Sequence, residues 1–226
     1  AIARQFAVNE IAQGCEDELL AKVRQLQNID SADARALKNI CLNLLLKVDD
    51  SYRHIAEQQF ATADNMTDTL GALTALNSDS SSERTALMSA YESRWVETPL
   101  AMDKWFSLHA TFANEGCIEQ LEKLLQHDGF SMSNPNRVRS LIGVFAAANT
   151  FEFHRKDAKG YDFLTKAIIK LNSVNPQVAA RIITPLIQFK KFDLERQALM
   201  RQSLENILAI DELSKDLYEK VTKALS

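Results

Sequence analysis

The sequence predicts an all-α fold, built as a superhelical array of antiparallel helix pairs. Apolar residues recur at the i, i+3, i+4, i+7 spacing of amphipathic helices almost from end to end. The 226 residues include only six glycines and four prolines, well below the roughly 12% of average proteins, and these residues are the ones that tight turns need. Two Asn-Pro dipeptides lie 41 residues apart, within the ~40–47-residue period of helical-repeat solenoids of the HEAT or armadillo type.

The first part of the chain is predicted to hold six helices, and a polar loop at Asn77–Ser82. The third helix is expected to place Leu37, Ile40, Cys41, Leu44 and Leu45 on one apolar face. The helical segments are residues 3–13, 16–27, 32–47 and 52–62, a helix capped by Asn65 with Asp68 in its first turn, and one that starts at or near Ser82.

The rest of the chain continues the helical pattern. We expect helices that start at Pro99 and after Gly116, at the two Asn-Pro dipeptides, over residues 161–171 and 193–208, and at a cap on Ser214. Residues 151–160 are charged and predict a partly ordered connector. Pro185 interrupts a helical pattern and predicts a kink or a short 3₁₀ turn.

No Gly/Ser linker divides the chain, so a single domain over residues 1–226 is predicted.

The two Asn-Pro helices carry the candidate binding residues. Asn can cap the free amides of the first turn, and Pro at the first helical position gives up only a donor that has no helical partner. Arg139 and Arg181 then lie within the first two turns of helices that can stack side by side. Because an arginine near a helix N-terminus opposes the helix dipole, each needs water or an anionic partner.

The stripe formed by Gln177, Arg181, Thr184 and Gln188 is, by its pattern alone, typical of a solvated polar face. Arg139 has the small neighbours Asn136, Gly143 and Ala146 at its helical offsets, which fit open space around a guanidinium or tight helix packing equally well. The pattern therefore leaves both interpretations open.

Charge and cysteine content exclude several classes of function. A net charge of −4 argues against nucleic-acid binding, which needs clustered Lys and Arg. Three widely spaced cysteines without a Cys-x-x-Cys pattern favour a reducing, cytoplasmic compartment over a disulfide framework or a structural zinc site. No apolar run approaches the ~18 residues of a membrane span, so no membrane partner is expected.

The sequence shows no complete catalytic motif. The four histidines do not form the i, i+4 pair of a zinc hydrolase helix, and neither a Gly-rich phosphate loop nor Gly-x-Ser-x-Gly is present. Cys117 follows Gly116 without a basic neighbour, which argues against an activated nucleophile. We therefore expect the isolated chain to be inactive and to hold no metal.

Several strings resemble the C-terminal helical domain of the bacterial aminopeptidase N family, the M1 zinc metallopeptidases. They are NMTDTLGALTAL, MDKWF, SMSNPNRVRSLIGVFAAAN, LNSVNPQVAARIITPLI and LSKDLYEKVTKALS, and the similarity is densest from Asn65 onward. The resemblance implies that the chain is the last domain of a larger aminopeptidase. It also implies that the zinc site, with its His-Glu-x-x-His motif, belongs to a preceding catalytic domain of the same polypeptide.

By the same resemblance, this domain encloses the cavity that admits peptide substrates, and Arg139, Gln177 and Arg181 face that cavity. Their role would be to position the peptide through charge-assisted hydrogen bonds without performing the chemistry. The alternative belongs to a different class of protein. It is a free-standing helical-repeat adaptor that binds a peptide or protein in its concave groove.

Overall fold

The computed structural model describes residues 2–78 and 81–226, except for the side chain of residue 78. Within these residues the regular structure is entirely helical, so the all-α prediction is confirmed. The chain forms two compact units, Ala1–Glu97 and Thr98–Ser226. No helix in the described ranges is both long enough and apolar enough to cross a membrane.

The helices of the first unit are α1 (Ile2–Gly14), α2 (Glu16–Leu26), α3 (Ala32–Leu45), α4 (Arg53–Thr62), α5 (Met66–Ala75) and α6 (Ser82–Trp95). Helix α2 packs on α3, and α5 packs on both α3 and α4. Short 3₁₀ turns at Asp50–Tyr52 and Leu76–Ser78 connect parts of the unit.

Side-chain caps start three of these helices. The side-chain oxygen of Ser31 accepts a hydrogen bond from the amide of Ala34, and Asn65 accepts one from Asp68. Ser81 caps α6, as predicted for the start near Ser82, whereas positions 79 and 80 of the predicted Asn77–Ser82 loop lie outside the described residues. The apolar core of the unit contains Val23, Cys41, Leu42, Leu45, Leu46, Ala56, Ala72, Ala75 and Leu76.

The predicted apolar face of α3 is partly wrong. Leu37 and Ile40 are 45% and 59% exposed, whereas Lys38 is only 5% exposed. The buried face is rotated toward Lys38 because the ammonium group of this lysine pairs with the carboxylate of Asp68 on α5, 3.0 Å away. A paired charge can be buried where an unpaired charge cannot.

The second unit is larger, and its helices pack mainly against their neighbours in sequence. The helices are α7 (Pro99–Thr111), α8 (Cys117–Leu124), α9 (Pro135–Val138), α10 (Val144–Ala148), α11 (Thr150–Phe153), α12 (Lys159–Val174), α13 (Pro176–Ile182), α14 (Thr184–Ile187), α15 (Leu194–Leu208) and α16 (Lys215–Leu225). In addition, α7 packs against the Asn134 helix, which comprises α9, α10 and the residues between them, while α12 packs against α15 and α13 packs against α16.

Two irregular segments interrupt this pattern. A π-helical segment at Arg139–Gly143 joins α9 to α10, so the Asn134 helix is continuous but widened over five residues. The helix that starts at Asn175 is broken at Ile183, between α13 and α14. The latter break confirms the interruption predicted from Pro185, whose ring cannot be accommodated in an uninterrupted helix.

Two local predictions are wrong. Residues 151–160 are not a partly ordered connector, because Glu152 and Phe153 are buried and Gly160 packs against the backbone of Phe153. Ser214 is the residue before α16, but its hydroxyl makes no capping hydrogen bond. Instead the backbone amide of Ser214 donates to the side-chain oxygen of Asn172 at 2.9 Å.

Candidate functional site

The candidate site is built at the starts of the two Asn-Pro helices. The side-chain oxygen of Asn134 accepts hydrogen bonds from the amides of Asn136 and Arg137, at 3.0 and 3.3 Å. The side-chain oxygen of Asn175 accepts one from the amide of Val178 at 3.2 Å. Both predicted caps are confirmed, and each satisfies backbone amides of the first helical turn that have no partner within the helix.

These two helix starts are neighbours. The Arg139–Gly143 segment packs against α13, as expected for stacked helices. The approach is close at Gly143, where a methyl group would lie 3.6 Å from Cγ2 of Ile182. The small residue near Arg139 therefore serves helix packing, which was one of the two interpretations that the sequence left open.

Arg137, two residues before Arg139, is a structural residue that the sequence reasoning missed. Its buried guanidinium donates to the carbonyl oxygens of Gly129 and Pro99, both at 2.8 Å, and to the carboxylate of Asp103. It also lies over the ring of Phe106, 5.4 Å from the ring centre. No local pattern could identify this role, because Pro99 and Asp103 lie 38 and 34 residues away.

Arg139, in contrast, is exposed and begins the π-helical segment. Its Nε donates to the carbonyl oxygen of Pro135 at 2.9 Å, and one terminal nitrogen donates to the side-chain oxygen of Asn136 at 3.3 Å. A guanidinium has five N–H donors, so these contacts orient the group and leave donors for another acceptor. Within the described ranges, no carboxylate forms an ion pair with Arg139.

Gln177 and Arg181 are exposed on α13 and line one open groove with Ala180 and residues of α16. The groove has a volume of about 500 Å³. In the described part of the chain, the guanidinium of Arg181 makes neither a hydrogen bond nor an ion pair. All of its donors are therefore available to water or to a ligand.

The groove carries charges of both signs. Its α16 wall presents Asp216, Glu219, Lys220 and Lys223, and Arg181 faces them from α13. The ammonium group of Lys220 is engaged, because it donates to the carbonyl oxygen of Ala180. The remaining cations suit a carboxylate or peptide carbonyl oxygens, and the two acidic residues suit a cation or amide donors.

The polar stripe predicted on this helix is confirmed. Gln177, Arg181, Thr184 and Gln188 are exposed, and the opposite stripe of Val178, Ile182, Leu186 and Phe189 is buried. The structure thus brings Gln177 and Arg181 together at one groove and places Arg139 on the adjacent segment. That Arg139, Gln177 and Arg181 act on one ligand stays a prediction.

The described residues contain no group of three or more His, Cys, Asp or Glu side chains that could hold a metal ion.

His154 illustrates the structural use of a histidine in this chain. It contacts the Tyr161 hydroxyl through Nδ1 at 2.9 Å, and its ring lies 4.3 Å from that of Phe192. Burial, followed by the nearby Arg196 cation, lowers the pKa of His154 from 6.5 to about 4. The imidazole is therefore neutral near pH 7.

Comparison with known proteins gives a match along the whole chain. Residues 1–226 match the family model described as domain of unknown function DUF3458_C, ARM repeats. Aminopeptidase N of Escherichia coli strain K12 is 43% identical over 233 residues, which cover 99% of this chain and 26% of that protein. Aminopeptidase N of Haemophilus influenzae is 39% identical over 229 residues, with the same coverage of 99% and 26%.

A solved structure shows the same fold. The crystal structure of Legionella pneumophila aminopeptidase A in complex with aspartic acid matches with a TM-score of 0.88 and 30% identity, over 98% of this chain and 28% of that one. The chain thus spans about a quarter of the length of these relatives. The resemblance to the C-terminal helical domain of bacterial aminopeptidase N is confirmed.

Proposed function

The chain belongs to the DUF3458_C family of ARM-repeat domains, and on that premise we propose that it is a non-catalytic domain of a zinc-dependent M1 aminopeptidase. It encloses the active-site cavity and positions peptides while their N-terminal residues are removed. The observation that carries the proposal is that 99% of this chain aligns with only about a quarter of two aminopeptidase N sequences.

The chemistry is assigned to a preceding catalytic domain of the same polypeptide. That domain supplies the zinc ion, which would polarise the scissile carbonyl and activate a water molecule. The present chain contributes walls and polar contacts. We place the whole enzyme in the cytoplasm, in keeping with the three cysteines without a disulfide framework.

Arg139, Gln177 and Arg181 are the proposed substrate-positioning residues. The unengaged guanidinium of Arg181 supports this assignment, because an exposed fork of donors next to an open groove can bind a peptide carbonyl or carboxylate in a bidentate manner. Arg139 keeps donors free beyond those bound to Pro135 and Asn136. Gln177 adds a neutral donor and acceptor at the same groove.

The genomic reading frame and the protein it encodes test the proposal together. We expect an upstream His-Glu-x-x-His in the same frame, and an encoded protein that binds zinc and hydrolyses aminoacyl-anilides. Residues 1–226 produced alone should do neither. A native start codon immediately before Ala1, or turnover by the isolated chain after extensive repurification, would contradict the proposal and favour the free-standing adaptor.

A further inference from the structure

The first unit contains a polar cavity that is separate from the α13–α16 groove and does not depend on the proposed function. Its volume is about 350 Å³, at the lower end of the ~300–1,000 Å³ range of small-molecule sites. Helices α2 to α5 and the turn after α4 line it. The lining residues are Val23, Arg24, Gln27, Lys38, His54, Ile55, Gln58, Gln59, Thr62, Ala63, Asp64 and Asp68.

The wall of the cavity contains the buried ion pair between Lys38 and Asp68. Their side chains are only 6% and 12% exposed, and the ammonium nitrogen lies 3.0 Å from a carboxylate oxygen of Asp68. Buried pairs of this kind often contribute little net stability, because both charges must be removed from water. Because the pair lies at the wall of a polar cavity, its charges can also bind a ligand there.

The hydrogen bonding of the pair is unbalanced. The carboxylate of Asp68 accepts from Lys38 and, at 3.3 Å each, from the side-chain amides of Asn39 and Asn65. Lys38, in the described part of the chain, has Asp68 as its single partner. Since an ammonium group carries three donors and Lys38 lines the cavity, two of its donors remain for water or for a ligand.

The other charges on the wall indicate what this ligand is. Arg24 adds a second cation and Asp64 adds an exposed carboxylate, so the four charged residues of the wall carry both signs in equal number. The amides of Gln27 and Gln58 offer groups that donate or accept. The amide nitrogen of Gln59 already donates to Asn39 and to the carbonyl oxygen of Asp68, and Nδ1 of His54 contacts the carbonyl oxygen of Ser51, so these two residues offer only their remaining polar atoms. We propose that the cavity binds a small zwitterion, an amino acid or a dipeptide, with its carboxylate on Lys38 and its ammonium group toward Asp64.

Binding can be measured on the full chain by isothermal titration and amide chemical-shift perturbation. The probes are alanine and glycylglycine, with glycylglycinamide and N-acetylglycylglycine as matched controls that lack the carboxylate and the ammonium group. We expect saturable binding of alanine or glycylglycine with shifts confined to α2–α5. Each control should bind about 10- to 100-fold more weakly, the effect of removing one charge-assisted contact.

Three variants locate the site. The double variant K38M/D68N removes both buried charges together and should weaken binding by the same factor. Gln58 lies at an exposed position of the wall. The variant Q58W should block the cavity and leave the ion pair intact, so it tests binding in the cavity even if the double variant does not fold. K104M, an exposed lysine of the second unit, should bind as the unaltered chain does. Absence of saturable binding, equal binding of the amide control, or unchanged binding by Q58W would overturn the proposal.

Discussion

Two arginines in the string NPNRVR have opposite environments although only one residue separates them. Arg137 is buried and bonded to the carbonyl oxygens of Pro99 and Gly129 and to the carboxylate of Asp103, whereas Arg139 is exposed. Burial and partners, rather than residue type, separate a residue that stabilises the fold from one that is available for binding.

The two arginines should therefore differ in their effect on stability. Arg137→Ala leaves Asp103 and two carbonyl oxygens without their donor, so the free energy of unfolding should fall by about 2–4 kcal/mol. Arg139→Ala removes exposed contacts and should change it by less than about 0.5 kcal/mol. Urea unfolding followed by circular dichroism measures both values, and equal losses in the two variants would contradict the assignment.

His154 makes stability depend on pH in a definite window. Its folded pKa is about 4, below the ordinary value of 6.5, mainly because of burial. As the pH falls, the unfolded chain therefore takes up the proton on His154 before the folded chain does. The contribution of the neutral imidazole to the free energy of unfolding is fully present above pH 6.5. It is lost as the pH falls toward 4, by about 1–3 kcal/mol in total.

The variant His154→Gln provides the comparison, because glutamine is polar but does not titrate. Between pH 6.5 and 4, its free energy of unfolding should fall less steeply than that of the unaltered chain. Above pH 7 the two curves should run parallel. Identical slopes between pH 6.5 and 4 would show that His154 has the same pKa in the folded and the unfolded chain, and would contradict this account.

At the scale of the elements, helix starts are the features that the sequence predicts best. Asn65, Asn134 and Asn175 each cap the helix that was expected to follow them, because capping depends on a few adjacent residues. Ser214 is the exception. The backbone amide there is satisfied by Asn172, which is distant in sequence.

Side-chain partners from distant elements could not be predicted. Hydropathy spacing assigned Leu37 and Ile40 to the buried face of α3, and the Lys38–Asp68 ion pair rotates that face. The partners of Arg137 and the π-helical segment at Arg139–Gly143 carry no local signal either. In the candidate site, the exposure of Gln177 and Arg181 follows from helical spacing, but the α16 wall of their groove does not.

Two glycines at helix contacts should respond differently to an added methyl group. At Gly160 the methyl carbon would lie 2.4 Å from the carbonyl oxygen of Phe153, so Gly160→Ala should lower the free energy of unfolding by about 1–3 kcal/mol. At Gly143 the nearest atom is 3.6 Å away, an ordinary contact, and Gly143→Ala should stay within about 1 kcal/mol of the unaltered chain. Thermal unfolding of both variants checks this, and a larger loss at Gly143 would contradict the packing.

At the scale of the whole molecule, the all-α architecture follows from composition and periodicity, and the ARM-repeat family match agrees with the solenoid type. The description as one domain over residues 1–226 stays a prediction, beside the two compact units of the structure. The proposed function extends beyond the chain, because its relatives are about four times longer. Its decisive test therefore uses the complete protein.

The central claim is that Arg139 and Arg181 position peptides for a catalytic site located elsewhere. Removing either guanidinium removes a charge-assisted contact worth about 1.5–3 kcal/mol, or about 10–100-fold in binding. Such a contact is made in ground and transition states alike, so the loss belongs in KM and kcat should change little. Arg181→Lys should recover part of the loss, since a point charge lacks the guanidinium fork.

The most direct measurement is the kcat and KM of the full-length protein for a peptide and for an aminoacyl-anilide, with Arg139→Ala, Arg181→Ala and Arg181→Lys. Arg201→Ala, an exposed arginine on α15, is the matched control. We expect a raised KM for the peptide, a smaller effect on the anilide, and unchanged kinetics in the control. Unaltered peptide kinetics in both alanine variants, with unfolding temperatures also unchanged, would contradict this claim. The two arginines would then belong to ordinary solvated helix faces.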